Sequence, residues 1–517
     1  MAPGHGGFVL AVDLGSSGLK VGLVSSTGEV VGWTHHPLDT ERGPGGAVTQ
    51  DAHTWWRLVT ESVRWCLART AVPAREVVAV GVTGQWASTV PVDVDGLPVG
   101  PCVMWSDTRG APYSREVVGG HVQGYRATAL AAWVRRTAGV PSPSGADPVG
   151  HMLHLQHDEP GTARAARWFL EPVDYLSMRF TGRAAATPAS MTAAWLTDNR
   201  GATPGYDRQL LARSGVDPDR LPPLLPTGSV IGRVRPDVAG SLGLGSGTVV
   251  VAGIPDLHAS VVGSGFVRDH EAHLSIGTTA WVSCPLPAKK TDVLHQMATV
   301  PGLRPGGYLL GNNQESAGRC LEWFLAAGGG GVPDGYDGLL RLAATAPPGS
   351  GGVLFTPWLA GERSPVEDRT LRGGFHNLSL STTPADLARA VLEGVAYNAR
   401  WLLEAADRFA GRRLEPLRLV GGGARSLLWS GIVADVCDRP VERVAEPLLA
   451  VLRGAGLFAG VAVGSLGWDD VAALVPVDGV LRPRPENRDV LDALFAELPG
   501  LYRRQRRMHA RLNRPAG

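Results

Sequence analysis

At 517 residues the chain is too long for one hydrophobic core, so two or more domains are expected. Hydrophobic residues make up 44% and charged ones 19%, which excludes a disordered chain, and a net charge of +1 supplies no field that would draw nucleic acid or an anionic membrane surface. Cys66, Cys102, Cys284, Cys320 and Cys437 lack the spacing of a zinc site or disulfide framework, and neither a signal-like start nor a long apolar run occurs, so a cytoplasmic protein is expected.

In chain order, "FVLAVDLG" reads as a strand and "LKVGLVSSTGEVVGW" as a hairpin around its "STGE" turn. "DAHTWWRLVTESVRWCLART" places Trp55, Leu58, Val59, Val63 and Leu67 at helical spacing. "VVAVGVTG" gives the next strand and "VDVDGLPVG" another hairpin, the order of an α/β layer. Further on, His151, His154 and His157 recur every third residue, a pattern that suits surface or half-buried positions on one helix face better than a metal site. "TVVVAG" predicts a buried strand and "LHASVVGSG" a helix ending in glycine, with Asp256 at the turn between them. An acid there is commonly an N-cap, so capping and chemistry both stand as readings of Asp256.

A second block opens after Gly265. "EAHLSIGTTAWVSC" again gives strand, Gly/Ser/Thr turn and strand, so that "AVDLGSSGLKVGLV" and "HLSIGTTAWVSC" read as one design used twice. Helices are predicted in "ESAGRCLEWFLAA" and "TPADLARAVLEGVAYNARWLLEAADRF", then a strand, glycine turn and helix in "EPLRLVGGGARSLLWSGIVADVCDRPV". The last helix carries Leu491, Leu494, Phe495 and Leu498 on one side. Three glycine/hydroxyl turns, at 13–18, 277–280 and 421–426, lie at strand ends, where backbone N–H groups can converge on an anion. No Walker lysine loop occurs and "GGGARS" lacks dinucleotide spacing. One turn in each block and a third beside them suit a nucleotide clamped between two domains.

From about residue 8 to 505 the chain resembles the FGGY carbohydrate kinases, nearest to their xylulokinase-like branch. The resemblance rests on "VDLGSSGLKVGLV", on "GVTGQWASTVPVDVDGLPVGPCVMWSDTRG" with Trp105, Asp107 and Arg109, and on "FLEPVDYLSMRFTGR". "LSIGTTAWV", "FTPWLAGERSP", "GGFHNLSLSTTPADLARAVLEGVAYNAR" and "LVGGGARSLLWSGIVADV" follow in order. It implies an α/β fold of two actin-like (ribonuclease H-like) ATPase domains, 1–265 and 266–490, flanking a nucleotide/sugar cleft, with a C-terminal helix over 491–517.

The implied activity is ATP-dependent phosphorylation of a sugar or polyol, with ATP and Mg2+ required and no nucleic acid or membrane partner; a homodimer is left open. Asp256 matches the family's catalytic base and Asp13 its magnesium-site acid. Ser16 and Ser17 match the first phosphate turn, Gly277 and Thr278 the second, and Gly318 a helix-start glycine near the nucleotide. Gly422, Gly423, Ala424 and Ser426 match the adenosine side. Lys20, one of only three lysines, stands where many relatives carry a basic residue, and a solvated lysine is its other reading.

Gln85, Trp86, Asp107, Asp256 and Leu257 match the acceptor side, and here the chain departs from the family. Trp86 and Ala87 replace the usual Met-His, Leu257 replaces an amide, and "HMLH" and "TPAS" stand for Lys-x-x-Trp and Ser-Asp-Ala-Ser. Losing several polar contacts implies a less hydroxylated or differently shaped ketose or polyol. The alternative is a non-catalytic sugar- and ATP-binding regulatory protein, against which the retention of Asp13 and Asp256 argues.

Overall fold

The computed structural model describes residues 7–122, 124–201, 205–328 and 332–513. Its first sheet grows from the opening apolar run: Phe8–Leu14 turns back through Gly18–Val24 and then Val30–Pro37, antiparallel at each step. Every residue of the first strand after Phe8 is buried, as a strand covered on both faces requires. Val77–Gly84 and Val249–Val251 add in parallel on its other side, and Val230–Arg233 closes that edge antiparallel. The short Ile254–Pro255 also pairs in parallel with Val77–Gly84.

The second sheet repeats the plan. Ala272–Ile276 turns back into Ala280–Ser283, Leu417–Val420 and Val441–Val444 add in parallel, and Val477–Leu481 closes the edge antiparallel. Strand for strand this is the first sheet without its third hairpin strand and the short Ile254–Pro255, so the two similar phrases of the sequence occupy equivalent places.

In each sheet the last parallel strand leads toward a helix, Asp256–Ser264 in the first and Ala450–Ala462 in the second. The two helices cross at glycines. A Cβ on Gly263 would stand 1.7 Å from the Ala450 carbonyl oxygen, and one on Gly454 1.9 Å from that of Ala259. Ala450–Ala462 also rests on the first sheet, where a Cβ on Gly81 would come within 2.6 Å of the Ala455 oxygen. A helix from the second half of the chain thus covers the first sheet, and the lobes meet along a shared seam of Ile254, Ala259, Val262, Leu457 and Phe458.

The outer helices follow the predicted patterns. Asp51 caps Ala52–Arg69 by accepting from the His53 and Thr54 amides, and Trp55, Leu58, Val59 and Val63 are buried against the first sheet. Pro384–Ala410 begins with a capping box of Thr383 and Asp386 and forms the spine of the second lobe. Leu491, Phe495 and Leu498 of Arg488–Leu512 enter that same core. No helix among the described residues is long and apolar enough to cross a membrane.

The histidine face departs from expectation. Residues 148–155 of the helix Pro148–His157 are all buried, so His151 and His154 lie inside while His157 alone is exposed, stacked on Tyr113. His154 bonds Asp158 at 2.8 Å and Glu159 at 3.2 Å. Burial holds His151 neutral, lowering it to about 4. The cause is tight packing beneath the helix, where a Cβ on Gly110 would meet the Gly150 oxygen at 2.2 Å.

Candidate active site

Sheet register brings the acids together. The hairpin sets Asp13 directly opposite Lys20, and Lys20 Nζ donates to Asp13 Oδ2 at 3.0 Å, with Asp13 4% exposed. In the parallel direction Leu14 aligns with Gly84, and Gly84 with Pro255. Asp256 therefore emerges at the same sheet edge two strands away, about 10 Å at ~4.8 Å per strand. Asp13 acts on both neighbours: it is the main cause that raises Lys20, and after burial the next cause that pushes Asp256 up to about 7. The Leu257 amide and Lys20 oppose the rise at Asp256.

The capping question has a geometric answer. An N-cap side chain accepts from amides two or three residues on, whereas Asp256 is the first helical residue, with Pro255 at the cap position. Its Oδ1 accepts only the next amide, Leu257 N–H, at 2.7 Å. Oδ2 makes no hydrogen bond among the described residues, and the residue stays partly exposed.

The three turns divide between the lobes. In the first, Gly15 N–H donates to Gly18 O at 2.9 Å, leaving Ser16 half-buried and Ser17 exposed. Ser16 Oγ accepts the Trp105 indole N–H at 3.1 Å, and its carbonyl accepts the Gln50 amide at 2.7 Å. The other two turns converge on the end of Ala272–Ile276. Thr278 is exposed, and Gly318 N–H donates to Gly277 O at 2.8 Å, so close that a Cβ on Gly318 would lie 2.6 Å from that oxygen. Gly421 has φ 85° and lies against the Ile276 carbonyl, with Gly423 against the Ile276 side chain. Gly422 is exposed, Ala424 is buried, and Ser426 caps Leu427–Cys437 by accepting from Trp429 N–H at 3.1 Å.

Of the residues expected on the acceptor side, Gln85 is buried beside Leu14, to whose carbonyl its own N–H donates at 2.8 Å, and neither atom of its side-chain amide has a partner among the described residues. Trp86 and Leu257 join one apolar cluster, with the Trp86 ring 6.1 Å from that of His258. Asp107 is fully buried. Burial pushes its carboxyl up, but hydrogen bonds from Arg109 and Val48 outweigh that and hold it below the usual range. It ties down the loop that presents Trp105.

Several residues here carry no local signal in the sequence. Trp195 joins Trp86 and Leu257, 109 and 62 positions away respectively by their numbers. Leu427, the first residue of the helix after the Gly422 turn, and Leu448, whose side chain lies 3.9 Å from a Cβ on Gly422, are exposed apolar side chains. Glu171 and Asp174 form a buried acid pair beside the Ser88 amide, both pushed well above the carboxylate range by burial first. Only the exposure of the leucines and the one-turn spacing of the acids could have flagged them, and only once the fold was known.

Two lobes built on one strand plan, with paired carboxylates at one sheet edge and glycine turns at both, define a two-lobed α/β phosphotransferase framework of the actin-like type. Residues 8–263 match the N-terminal domain model of the FGGY family of carbohydrate kinases and residues 272–463 match its C-terminal domain model. A xylulose kinase of Staphylococcus epidermidis is 28% identical over 512 residues, 98% of each chain. One of Streptomyces coelicolor is 31% identical over 515 residues, 97% of this chain and 99% of its own. Among solved structures, the ligand-bound xylulose kinase from Lactobacillus acidophilus has the same fold, with a TM-score of 0.85 at 20% identity over 98% of this chain and 99% of that one. The chain belongs to the FGGY family of carbohydrate kinases and is an ATP-dependent sugar kinase.

Proposed function

We propose that this kinase transfers the γ-phosphoryl group of ATP to a hydroxyl of a ketose of the xylulose class, or of a related polyol, with Asp256 as general base. The observation that carries the reading is the Asp256 carboxyl: one oxygen fixed by the Leu257 amide, the other unbonded, and a proton affinity near neutrality. In-line phosphoryl transfer asks the protein for alignment, charge neutralisation and a proton acceptor. As the acceptor oxygen bonds to the γ-phosphorus and the bond to ADP breaks, Oδ2 takes the hydroxyl proton. The xylulose kinases of Staphylococcus epidermidis and Streptomyces coelicolor, similar along nearly the whole chain, support a ketose.

Ser16, Ser17 and Lys20 from the first lobe, and Gly277, Thr278 and Gly318 from the second, would hold the phosphates. Gly422, Gly423, Ala424 and Ser426 would hold the adenosine, and Gln85, Trp86 and Leu257 would face the acceptor, with Asp107 bracing that wall. Mg2+ fits at Asp13, because Oδ2 holds Lys20 while Oδ1 makes no hydrogen bond among the described residues, and a carboxylate oxygen, direct or through water, is the ligand this hard cation takes. Bound there it would neutralise charge on the transferring group. The domains that would close around these groups are 1–265 and 266–490, and closure would exclude water.

Steady-state ADP release with Mg-ATP and a panel of ketoses and polyols tests the assignment. Asp256→Asn should lower kcat by about 10²–10⁴-fold with ATP affinity unchanged by calorimetry. Near-normal turnover in that variant would remove Asp256 from the chemistry.

A further inference from the structure

An acceptor whose hydroxyl meets Asp256 must lay its other end against something, and the residues around the base determine what. Leu257, the next residue, packs in one apolar cluster with Trp86 and Trp195, and all three remain partly exposed. They come from three separate elements: the start of the helix Asp256–Ser264, the turn after Val77–Gly84, and the end of the 3-10 turn Ser190–Ala194. Ala138, Val261, and Val300 and Leu309 of the second lobe are the buried residues against which the three pack, so the cluster spans the seam between lobes.

Two features hold the indoles in place. Trp195 has a left-handed backbone, φ 55° and ψ 25°, a conformation that costs a non-glycine residue about 1–2 kcal/mol. Its ring lies over Gly139, where a Cβ would come within 2.7 Å of the ring carbons. Trp86 is tilted on His258, which is itself anchored across the seam by a hydrogen bond between Nε2 and the Pro301 carbonyl at 2.8 Å. Leu257 has no polar atom to offer, and each indole carries a single donor on an otherwise apolar ring. A hydroxyl pressed against such a wall gives up water without replacement, at about 1–3 kcal/mol per unsatisfied group. A C–H group there gives up nothing.

We infer that the acceptor is a deoxygenated ketose or polyol, carrying hydrogen or methyl in place of hydroxyl at the carbons remote from the phosphorylated one, and that Trp86, Trp195 and Leu257 select it. The inference rests on the kinase reading with Asp256 as base and narrows its substrate. An apolar wall rejects an added hydroxyl by no more than about 10²-fold, which sets the size of the preference.

The test is kcat/KM, by ADP release with Mg-ATP, for acceptor pairs that differ by one remote hydroxyl, beginning with D-xylulose and its 1-deoxy counterpart. The deoxy member should be preferred by about 10- to 100-fold. Leu257→Asn and Trp195→Ala should each bring the ratio toward one, while Trp195→Phe, which keeps an aromatic ring, should retain most of it. A ratio is insensitive to the amount of folded enzyme, so a merely structural loss in either variant would not move it. A wild-type ratio near one, or one unchanged in both Leu257→Asn and Trp195→Ala, overturns the inference while leaving the kinase reading intact. No ADP release with any acceptor overturns both.

Discussion

Asp256 is held between opposing influences, burial and Asp13 pushing its carboxyl up to about 7 while the Leu257 amide and Lys20 pull it down. Because a base must be ionised to accept a proton, kcat/KM should rise with pH through a midpoint near 7. Lys20→Met removes the cation and leaves the Leu257 amide against burial and Asp13, so the midpoint should move upward even as the rate falls. Steady-state ADP release across the neutral range, read as midpoint and not as amplitude, checks this. A midpoint that stays put or drops would mean that Lys20 serves only phosphate or Asp13. The same geometry explains why Asp13 and Lys20 were legible as a pair only in part: each stood out on its own, but the hairpin register that sets them face to face is fixed by the turn between them.

At the scale of elements, the crossing of Asp256–Ser264 over Ala450–Ala462 seats the helix that carries the proposed base, Asp256. Gly454 has no room for a side chain, since the nearest atom to its absent Cβ is backbone. Gly454→Ala must therefore displace one helix, and overpacking of this kind costs about 1–3 kcal/mol. Both Tm and kcat should fall. Gly431→Ala is the matched control: it lies in the helix Leu427–Cys437 with nothing among the described residues within 4 Å of a Cβ and should gain up to about 1 kcal/mol from helix propensity. Equal behaviour of the two variants, by thermal melting and turnover, would show that the crossing does not position Asp256. This contact also marks the limit of sequence reading. The strands were legible because Val-rich runs ended in glycine turns, and the amphipathic helices because their periods were strong. Nothing in "AVLRGAGLFAG" says that Gly454 meets Ala259, about 195 residues earlier, because tertiary approach between backbones leaves only small residues and no period. Trp195 escaped for the same reason, its role depending on neighbours far away in the chain.

For the whole molecule, the site belongs to a wider set of buried groups whose titration opposes folding at the two ends of the pH scale. Burial raises Asp147 to about 6, Asp256 and Glu362 to about 7, and Glu171 and Asp174 well above their usual values. For each of these acids the unfolded chain is ionised while the fold still holds its proton, so stability falls as pH rises from the unfolded value through the folded one. The buried histidines act oppositely: burial lowers His151 and His258 to about 4 and His273 to about 3, so their contribution is lost as pH falls below the ordinary imidazole value of 6.5. Above 6.5 the unfolded histidines lose most of their charge, so these acids outweigh them on the alkaline side. Tm should fall between there and about pH 8. Glu171→Gln keeps an acceptor for the Ser88 amide, which now donates to the Glu171 carboxyl at 3.2 Å, but has no proton to lose. Its Tm should exceed that of the wild type at the alkaline end and approach it at the neutral end, with a gap that widens by a few degrees. Parallel curves for the two proteins by scanning calorimetry would mean that the Glu171–Asp174 pair is relaxed by solvent that enters the lobe, and that its burial does not set the alkaline limit of this fold.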